Sequence, residues 1–334
     1  MKIACIGSGA IGGLVAGYLK NKDIDVSLTG HNAAVLAIRE KGLEISGVRG
    51  NLKLKIDTLE KLKSNPDLAI LATKTQDLKE ALKENLENIK DSLILTTQNG
   101  IQADNLAAEF VPKRNIISSI VMFGSTSLEP GKITHNFEGS WIIGKIFSPN
   151  DEAVTKVSAL LNNIFPVTVA DNIRGMKYLK IFVNANNCIP AILGLSMQEA
   201  FSDIDISSIS IAIWKEGLEV IKKSGINLVS LPDFPIERVT KLASLPTKEA
   251  AKIYSGIILG LSKEPLYGSI LQSIKRGKTS EIDYINGEFV HLAKINKLSA
   301  PLNEKLVEMV HAVEQTKKFF AKSDLIEAVK ELVS

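Results

Sequence analysis

Lys180, Asn184 and Asn187 are the first residues of this chain whose types and spacing suggest chemistry. They lie in the run Tyr178–Gly194, YLKIFVNANNCIPAILG, where almost every other position is apolar. On a helix turning about 100° per residue, Lys180, Asn184, Asn187 and Ala191 fall within roughly 40° of one another. An ammonium and two amides facing a dry interior cost several kcal/mol unless paired. The stripe therefore either meets satisfied polar partners in the core or lines a wet cleft, and buried lysines are rare. Pro190 lacks an N–H, so the helix is expected to kink or end near it.

A second chemistry-bearing stretch opens the chain. Lys2–Ile6 is a short β-type run that leads into Gly7-Ser8-Gly9-Ala10-Ile11-Gly12, with a helical pattern to about Lys20 and another strand at Asp25–Thr29. Strand, glycine turn, helix and strand form the dinucleotide-binding fingerprint in its required setting. Gly7 permits the tight turn, Gly9 lets a pyrophosphate approach the free N–H groups of a helix start, and Gly12 lets helix and strand pack closely. A carboxylate at the end of the second strand holds the ribose hydroxyls of NAD. Here that place holds Gly30, His31 and Asn32, with Arg39 further along, which favours NADP. His31 is either a ligand of the 2′-phosphate or a solvated loop residue.

These residues need elements to hold them. Further strands are expected at Asp67–Ala72, Ser92–Thr97, Asn115–Val121 and Val167–Ala170, with helices near Thr75–Asn88 and Asp104–Phe110. Strands alternating with helices indicate a parallel sheet covered on both faces, with ligands beyond the carboxyl ends of the strands. That places Thr73-Lys74-Thr75 and Gln98-Asn99-Gly100 at the site; Lys74 is a cofactor contact or a plain surface lysine, and Asn99 a ligand contact or a simple turn residue. Residues 131–145 read as a β-hairpin extending the sheet, with His135 structural. From Asn172 onward helical periodicity takes over: Ile204–Lys223, Pro235–Ala243, Lys248–Leu261, Ser269–Arg276, Ile282–Lys294, Pro301–Phe319 and Asp324–Val333. The expected fold is α/β: a Rossmann-type parallel-sheet domain over residues 1–171, then an all-helical domain over 172–334 for substrate binding and dimerisation. In the polar cluster Thr279-Ser280-Glu281-Ile282-Asp283, Thr279 can cap the next helix while Glu281 and Asp283 suit its dipole.

Composition narrows the function classes. The 334 residues carry 40 basic and 37 acidic side chains, a net charge of +3 with no basic block, so nucleic acid is not an expected partner. Two cysteines, Cys5 and Cys188, both in apolar surroundings, suggest a reducing compartment and a cytoplasmic protein. No run reaches about 18 uninterrupted apolar residues, so no membrane span is expected. No metal site is read from the sequence. The apolar faces of the C-terminal helices leave room for a homodimer.

Taken together, GSGAIG at the start, QNG at 98–100, KIFVN at 180–184 and SILQS…TSEIDYING from Ser269 to Gly287, with Pro-Leu-Asn at 301–303, resemble the ketopantoate reductase (2-dehydropantoate 2-reductase) family over nearly the whole chain. The resemblance implies NADPH-dependent reduction of 2-dehydropantoate to pantoate, on the route to pantothenate. It implies Lys180 as the general acid that protonates the carbonyl oxygen, and Asn184 as a substrate contact. Asn99 would meet cofactor and substrate, Ser269 the substrate carboxylate, and Glu281 the substrate hydroxyl and the lysine. The chain departs from the family pattern in three places. Cys188 stands where a second asparagine is usual, with Asn187 able to replace it. Leu266, Tyr267 and Gly268 precede the serine where polar residues are common. His31 occupies the position that often carries a phosphate-binding arginine. These departures keep two alternatives open: a related dehydrogenase acting on another 2-keto or 2-hydroxy acid, and a nicotinamide-binding sensor without chemistry.

Overall fold

A computed structural model describes residues 1–333, which divide into two compact units at Arg174/Gly175. The first unit runs β1 (Ile3–Ile6), α1 (Ala10–Asn21), β2 (Val26–Thr29), α2 (Asn32–Lys41), β3 (Leu43–Gly47), β4 (Leu52–Leu54), β5 (Asp57–Leu59), β6 (Leu68–Leu71), α3 (Thr75–Ile89), β7 (Leu93–Thr96), α4 (Gln102–Ala108), β8 (Ile116–Val121), β9 (Gly124–Glu129), β10 (Lys132–Phe137), β11 (Trp141–Gly144), α5 (Glu152–Leu161) and β12 (Val167–Val169). Its main sheet has eight strands in the order β12-β11-β8-β7-β6-β1-β2-β5, parallel throughout except where β11 meets β8.

Strands β1 and β6 are apolar at every position because each alternates between two cores. In β1, Ile3 and Cys5 join Leu14, Val15 and Leu19 of α1 on one face; Ala4 and Ile6 join Leu78 and Leu82 of α3 on the other. Leu68 and Ile70 of β6 follow the first pair, and Ala69 and Leu71 the second.

The structure corrects the expected hairpin at 131–145. β10 pairs with β9, turning at Gly131 (φ +77°), and with β3 in a separate four-stranded sheet ordered β4-β3-β10-β9. β11 leaves that sheet and joins β8 in the main one. The chain changes sheets at Gly139, where a Cβ would lie 2.4 Å from the Met122 backbone. His135 sits on β10 as a core residue, wholly buried, its Nδ1 2.9 Å from the Tyr18 hydroxyl and its ring edge-on to Phe123 and Phe165.

The second unit is helical: α6 (Ile173–Ala185, which begins at the boundary), α7 (Cys188–Leu193), α8 (Met197–Phe201), α9 (Ile204–Lys223), α10 (Glu237–Ser244), α11 (Thr247–Gly260), α12 (Ser269–Lys275), α13 (Asn286–Ile295), α14 (Pro301–Thr316) and α15 (Lys322–Val329). Among the described residues it contains no strand, only an isolated bridge between Leu231 and Phe234. The spine is α9, whose N-terminus is capped by Asp203 accepting from the N–H groups of Asp205 and Ile206. Its Glu216 carboxylate accepts the N–H groups of Leu302 and Asn303 at 2.9 Å each, satisfying the start of α14 behind Pro301.

Two expected helices come out shorter than their periodicity suggests. The segment 282–294 starts as a 3-10 turn, Ile282–Tyr284, and breaks at Ile285 (φ −115°, ψ −89°) before α13. α14 stops at Thr316 because Lys317 turns left-handed (φ +59°). No helix among the described residues is long and apolar enough to cross a membrane.

Candidate active site

In the first unit, parallel pairing of β7, β6, β1 and β2 puts the loops after all four strands on one sheet edge. Those loops hold the glycine turn, His31, Lys74 and Asn99. Gly7 takes φ +113°, and a Cβ there would stand 2.7 Å from the backbone of Ala72 and Thr73. A Cβ on Gly12 would stand 1.9 Å from the Gly7 carbonyl oxygen, so α1 meets the turn only without one. Gly9 faces open space, with nothing within 4 Å of a Cβ position. It is also the N-cap of α1, with no side-chain cap and no acid in the first turn. Ser8, Ala10 and Ile11 complete a turn whose free N–H groups suit an anion. Ser8 lies against the end of β2, where a Cβ on Gly30 would meet its Oγ.

His31 is exposed at the N-cap of α2, and no acid stands beside it in the sequence. Arg39 donates from Nε to the Thr58 carbonyl at 2.9 Å, which ties it to β5. Lys74 is the N-cap residue of α3, and Asn99 precedes Gly100 (φ +75°). Sequence reasoning singled out the QNG turn for its asparagine and missed its glutamine. Gln98 is 4% exposed and its amide N–H2 donates to the carbonyls of Leu71 (3.0 Å) and Thr73 (2.9 Å), lashing the Asn99 turn to the Lys74 loop. A buried amide needs such partners, so a Gln at a strand end was the available signal. From below, Asp104 of α4 accepts the hydroxyls of Thr96 (2.5 Å) and Ser118 (2.8 Å), bracing β7 on the far side of that turn.

In the second unit, the helical run 178–194 breaks near Pro190 as expected, but the break comes before the proline and gives two helices. α6 ends at Ala185, Asn186 and Asn187 form a turn, and α7 starts at Cys188. The cause is Pro190: a continued helix would push its ring against the Asn186 carbonyl, whereas in the first turn of a new helix proline fits. Lys180 and Asn184 keep a shared face of α6, one turn apart. Asn187 leaves that helix and leans on Gly268, where a Cβ would stand 3.0 Å from its Cβ and Cγ. Gly268 caps α12, so Asn187 is brought beside exposed Ser269, the first residue of that helix. Cys188 is wholly buried, and burial pushes its thiol up to about 12.

α6 is fixed from α9: the Trp214 indole N–H donates to the Phe182 carbonyl at 3.0 Å, and Phe182 packs on Phe289 with centroids 4.9 Å apart. Phe182 lies midway between Lys180 and Asn184, so both are anchored by it. Lys180 is partly buried, and desolvation lowers its ammonium from 10.5 to about 8. Lys177, one turn earlier, was missed by sequence reasoning; it is 2% exposed and is not free. Its position three before Lys180 and seven before Asn184 was the signal, since that spacing continues the same stripe. Glu281 is partly buried and opens the 3-10 turn Ile282–Tyr284. Among the described residues no cluster of His, Cys, Asp or Glu is arranged to hold a metal, and Cys5 and Cys188 are unpaired and buried.

Residues 3–147 match the family description "Ketopantoate reductase PanE/ApbA", and residues 172–314 match its C-terminal counterpart. The chain belongs to the ketopantoate reductase family. Like the family, it is an oxidoreductase. The 2-dehydropantoate 2-reductase of Pyrococcus horikoshii is 34% identical over 319 residues, covering 94% of this chain and 98% of the relative. That of Aquifex aeolicus is 28% identical over 324 residues, covering 94% and 97%. Among solved structures, a D-mandelate dehydrogenase bound to NADH and anilino(oxo)acetate aligns with a TM-score of 0.82 at 26% identity, covering 95% of this chain and 99% of that one. A ketopantoate reductase family protein from Ralstonia eutropha JMP134 shares the fold, with a TM-score of 0.80 at 22% identity over 95% and 99% of the chains.

Proposed function

We propose that this enzyme reduces 2-dehydropantoate to pantoate with NADPH. The observation that carries the reading is the full-length similarity to reductases named for that substrate, at 34% identity over 94% of the chain. The glycine turn fits a dinucleotide: open space at Gly9, an uncapped α1 N-terminus and no first-turn acid. Exposed His31, in place of a carboxylate at the end of β2, supports the 2′-phosphorylated form. A bound reduced nicotinamide supplies the hydride.

The chain's own residues do the rest. Gly7 through Gly12 receive the pyrophosphate, His31 the 2′-phosphate, and Lys74 and Asn99 the ribose and nicotinamide end. Lys180 gives an Nζ proton to the keto oxygen as negative charge builds on it. With its ammonium lowered to about 8, Lys180 is mostly charged at neutral pH yet gives up its proton far more readily than an ordinary lysine. Asn184, Asn187 and Ser269 hold the substrate's polar groups, and Glu281 orients its hydroxyl and the lysine. In this reading coenzyme binding belongs to residues 1–171, where Asn99 also meets the substrate, and the other substrate contacts belong to 172–334. The exposed apolar side chains Ile253 and Ile257, one turn apart on α11, support a homodimer through the helical unit, to be checked by sedimentation equilibrium.

A second reading is a dehydrogenase for another 2-keto or 2-hydroxy acid, favoured by the likeness to D-mandelate dehydrogenase and by buried Cys188 where an asparagine is usual. A panel of 2-keto acids assayed with NADPH and NADH separates the readings. The first predicts the highest kcat/KM for 2-dehydropantoate with NADPH. Preference for an aromatic keto acid with NADH would establish the second, and coenzyme binding with no oxidation would leave a sensor.

A further inference from the structure

The turn that carries Glu281 is gripped by a histidine that has no part in the site described above. His311 of α14 places Nε2 2.9 Å from Asp283 Oδ1 and Nδ1 3.1 Å from Glu314 Oε2. The other Glu314 oxygen accepts the Ser280 backbone N–H at 2.7 Å, and Ser280 Oγ accepts the Ile282 N–H at 3.3 Å. Glu281 thus sits between two residues tied to one imidazole: Asp283 directly, and Ser280 through Glu314.

Ionised carboxylates only accept hydrogen bonds, so both ring nitrogens must donate, and an imidazole with two N–H groups is a cation. A neutral ring has one N–H and must surrender one bond. Glu314 is 10% exposed and also holds Ser280, while Asp283 is 51% exposed, so the bond surrendered is the one to Asp283. We propose that His311 is a positioning residue for Glu281, that as an imidazolium it clamps the 280–284 turn, and that loss of its proton frees that turn and weakens substrate binding. The proposal rests on the substrate-binding role given to Glu281 above.

Burial works against the charge, but the bonds and charges of Asp283 and Glu314 outweigh it and hold the ring above its ordinary 6.5. Asp283 and Glu314 are the charged groups that act on it. From the packed helices, Glu216 of α9 is taken up by Leu302 and Asn303, Lys294 of α13 pairs with Glu304 about two turns away, and α7 carries no charge. Because the folded value is raised, the clamp is complete below about 6.5 and is lost as pH rises through the folded value.

The test compares the wild type with His311→Gln and with Asp283→Ala, the latter removing a half-exposed side chain. The KM for the 2-keto acid and the hydrogen exchange of amides 280–284, corrected for intrinsic rates, are followed from pH 6 to pH 9. In the wild type, KM should rise about tenfold and exchange should accelerate over the same pH range. Both variants should show the higher KM and fast exchange already at pH 6, while the KM for NADPH stays unchanged. Lys180 is present in all three proteins, so its own titration cancels in the comparison. A wild-type KM profile in Asp283→Ala, or equal exchange in all three proteins, overturns the proposal. Should no 2-keto acid be turned over, the functional reading fails separately, and the exchange comparison still decides whether the clamp exists.

Discussion

Replacing Lys180 with methionine should make the protein more stable and nearly inactive. Burial lowers the Lys180 ammonium from 10.5 to about 8. A drop of that size corresponds to roughly 3 kcal/mol at neutral pH, and partial exposure trims it to about 1–3 kcal/mol. The unfolded chain binds more protons than the folded one between about 8 and 10.5, so stability rises with pH across that window and the full cost is borne at pH 7. Methionine matches the stem without the charge and should recover most of that cost. Loss of the proton donor should lower kcat at least ~100-fold, since general acids contribute about 10²–10⁴. Urea denaturation at pH 7 and pH 10.5 reads the first effect, and steady-state kinetics the second. The stability gain should shrink at the higher pH. A variant less stable than wild type at pH 7, or one keeping more than about a tenth of kcat, would refute the reasoning.

In His311→Gln, where the clamp no longer titrates, the same ammonium predicts that kcat/KM for the keto acid falls about tenfold per pH unit above about 8, where an ordinary lysine would leave it flat to roughly pH 10. The glycine turn separates fold from binding. Gly9→Ala meets nothing within 4 Å and should leave the melting temperature unchanged while raising the KM for NADPH at least ~10-fold. Gly12→Ala, its Cβ 1.9 Å from a carbonyl oxygen, should also lose about 1–3 kcal/mol of stability. At the end of β2, His31→Asp should shift preference from NADPH toward NADH by about tenfold or more. An unchanged coenzyme ratio would remove His31 from phosphate recognition.

The parallel sheet was legible because a strand buried on both faces reads as continuous apolar sequence, as in Ile3–Ile6 and Leu68–Leu71. Helix α9 was legible end to end because no proline interrupts Ile204–Lys223 and Asp203 stands at its start as a capping residue. The four-stranded sheet was not: β3 pairs with β10, whose residues lie 88 positions further along the chain, as in Lys132 opposite Glu44. Such pairing leaves no local trace, so residues 131–145 read as one hairpin instead of two strands in two sheets. The break after Ala185 was half legible. Pro190 announced it, but the clash falls on the carbonyl four residues earlier, so the helix ends before the proline and Asn187 leaves the stripe. The roles of Gln98 and His311 depend on partners supplied by folding. Gln98 reaches carbonyls 25 and 27 positions back, and His311 a carboxylate 28 positions back, which no spacing rule foresees.

The most direct test of the account is the structure of the ternary complex with NADP and pantoate. The account predicts Lys180 Nζ at hydrogen-bond distance, about 3 Å, from the pantoate oxygen that was the keto oxygen, with Asn184 and Glu281 on the same ligand. Lys180 directed away from that oxygen, with another donor in its place, would contradict it.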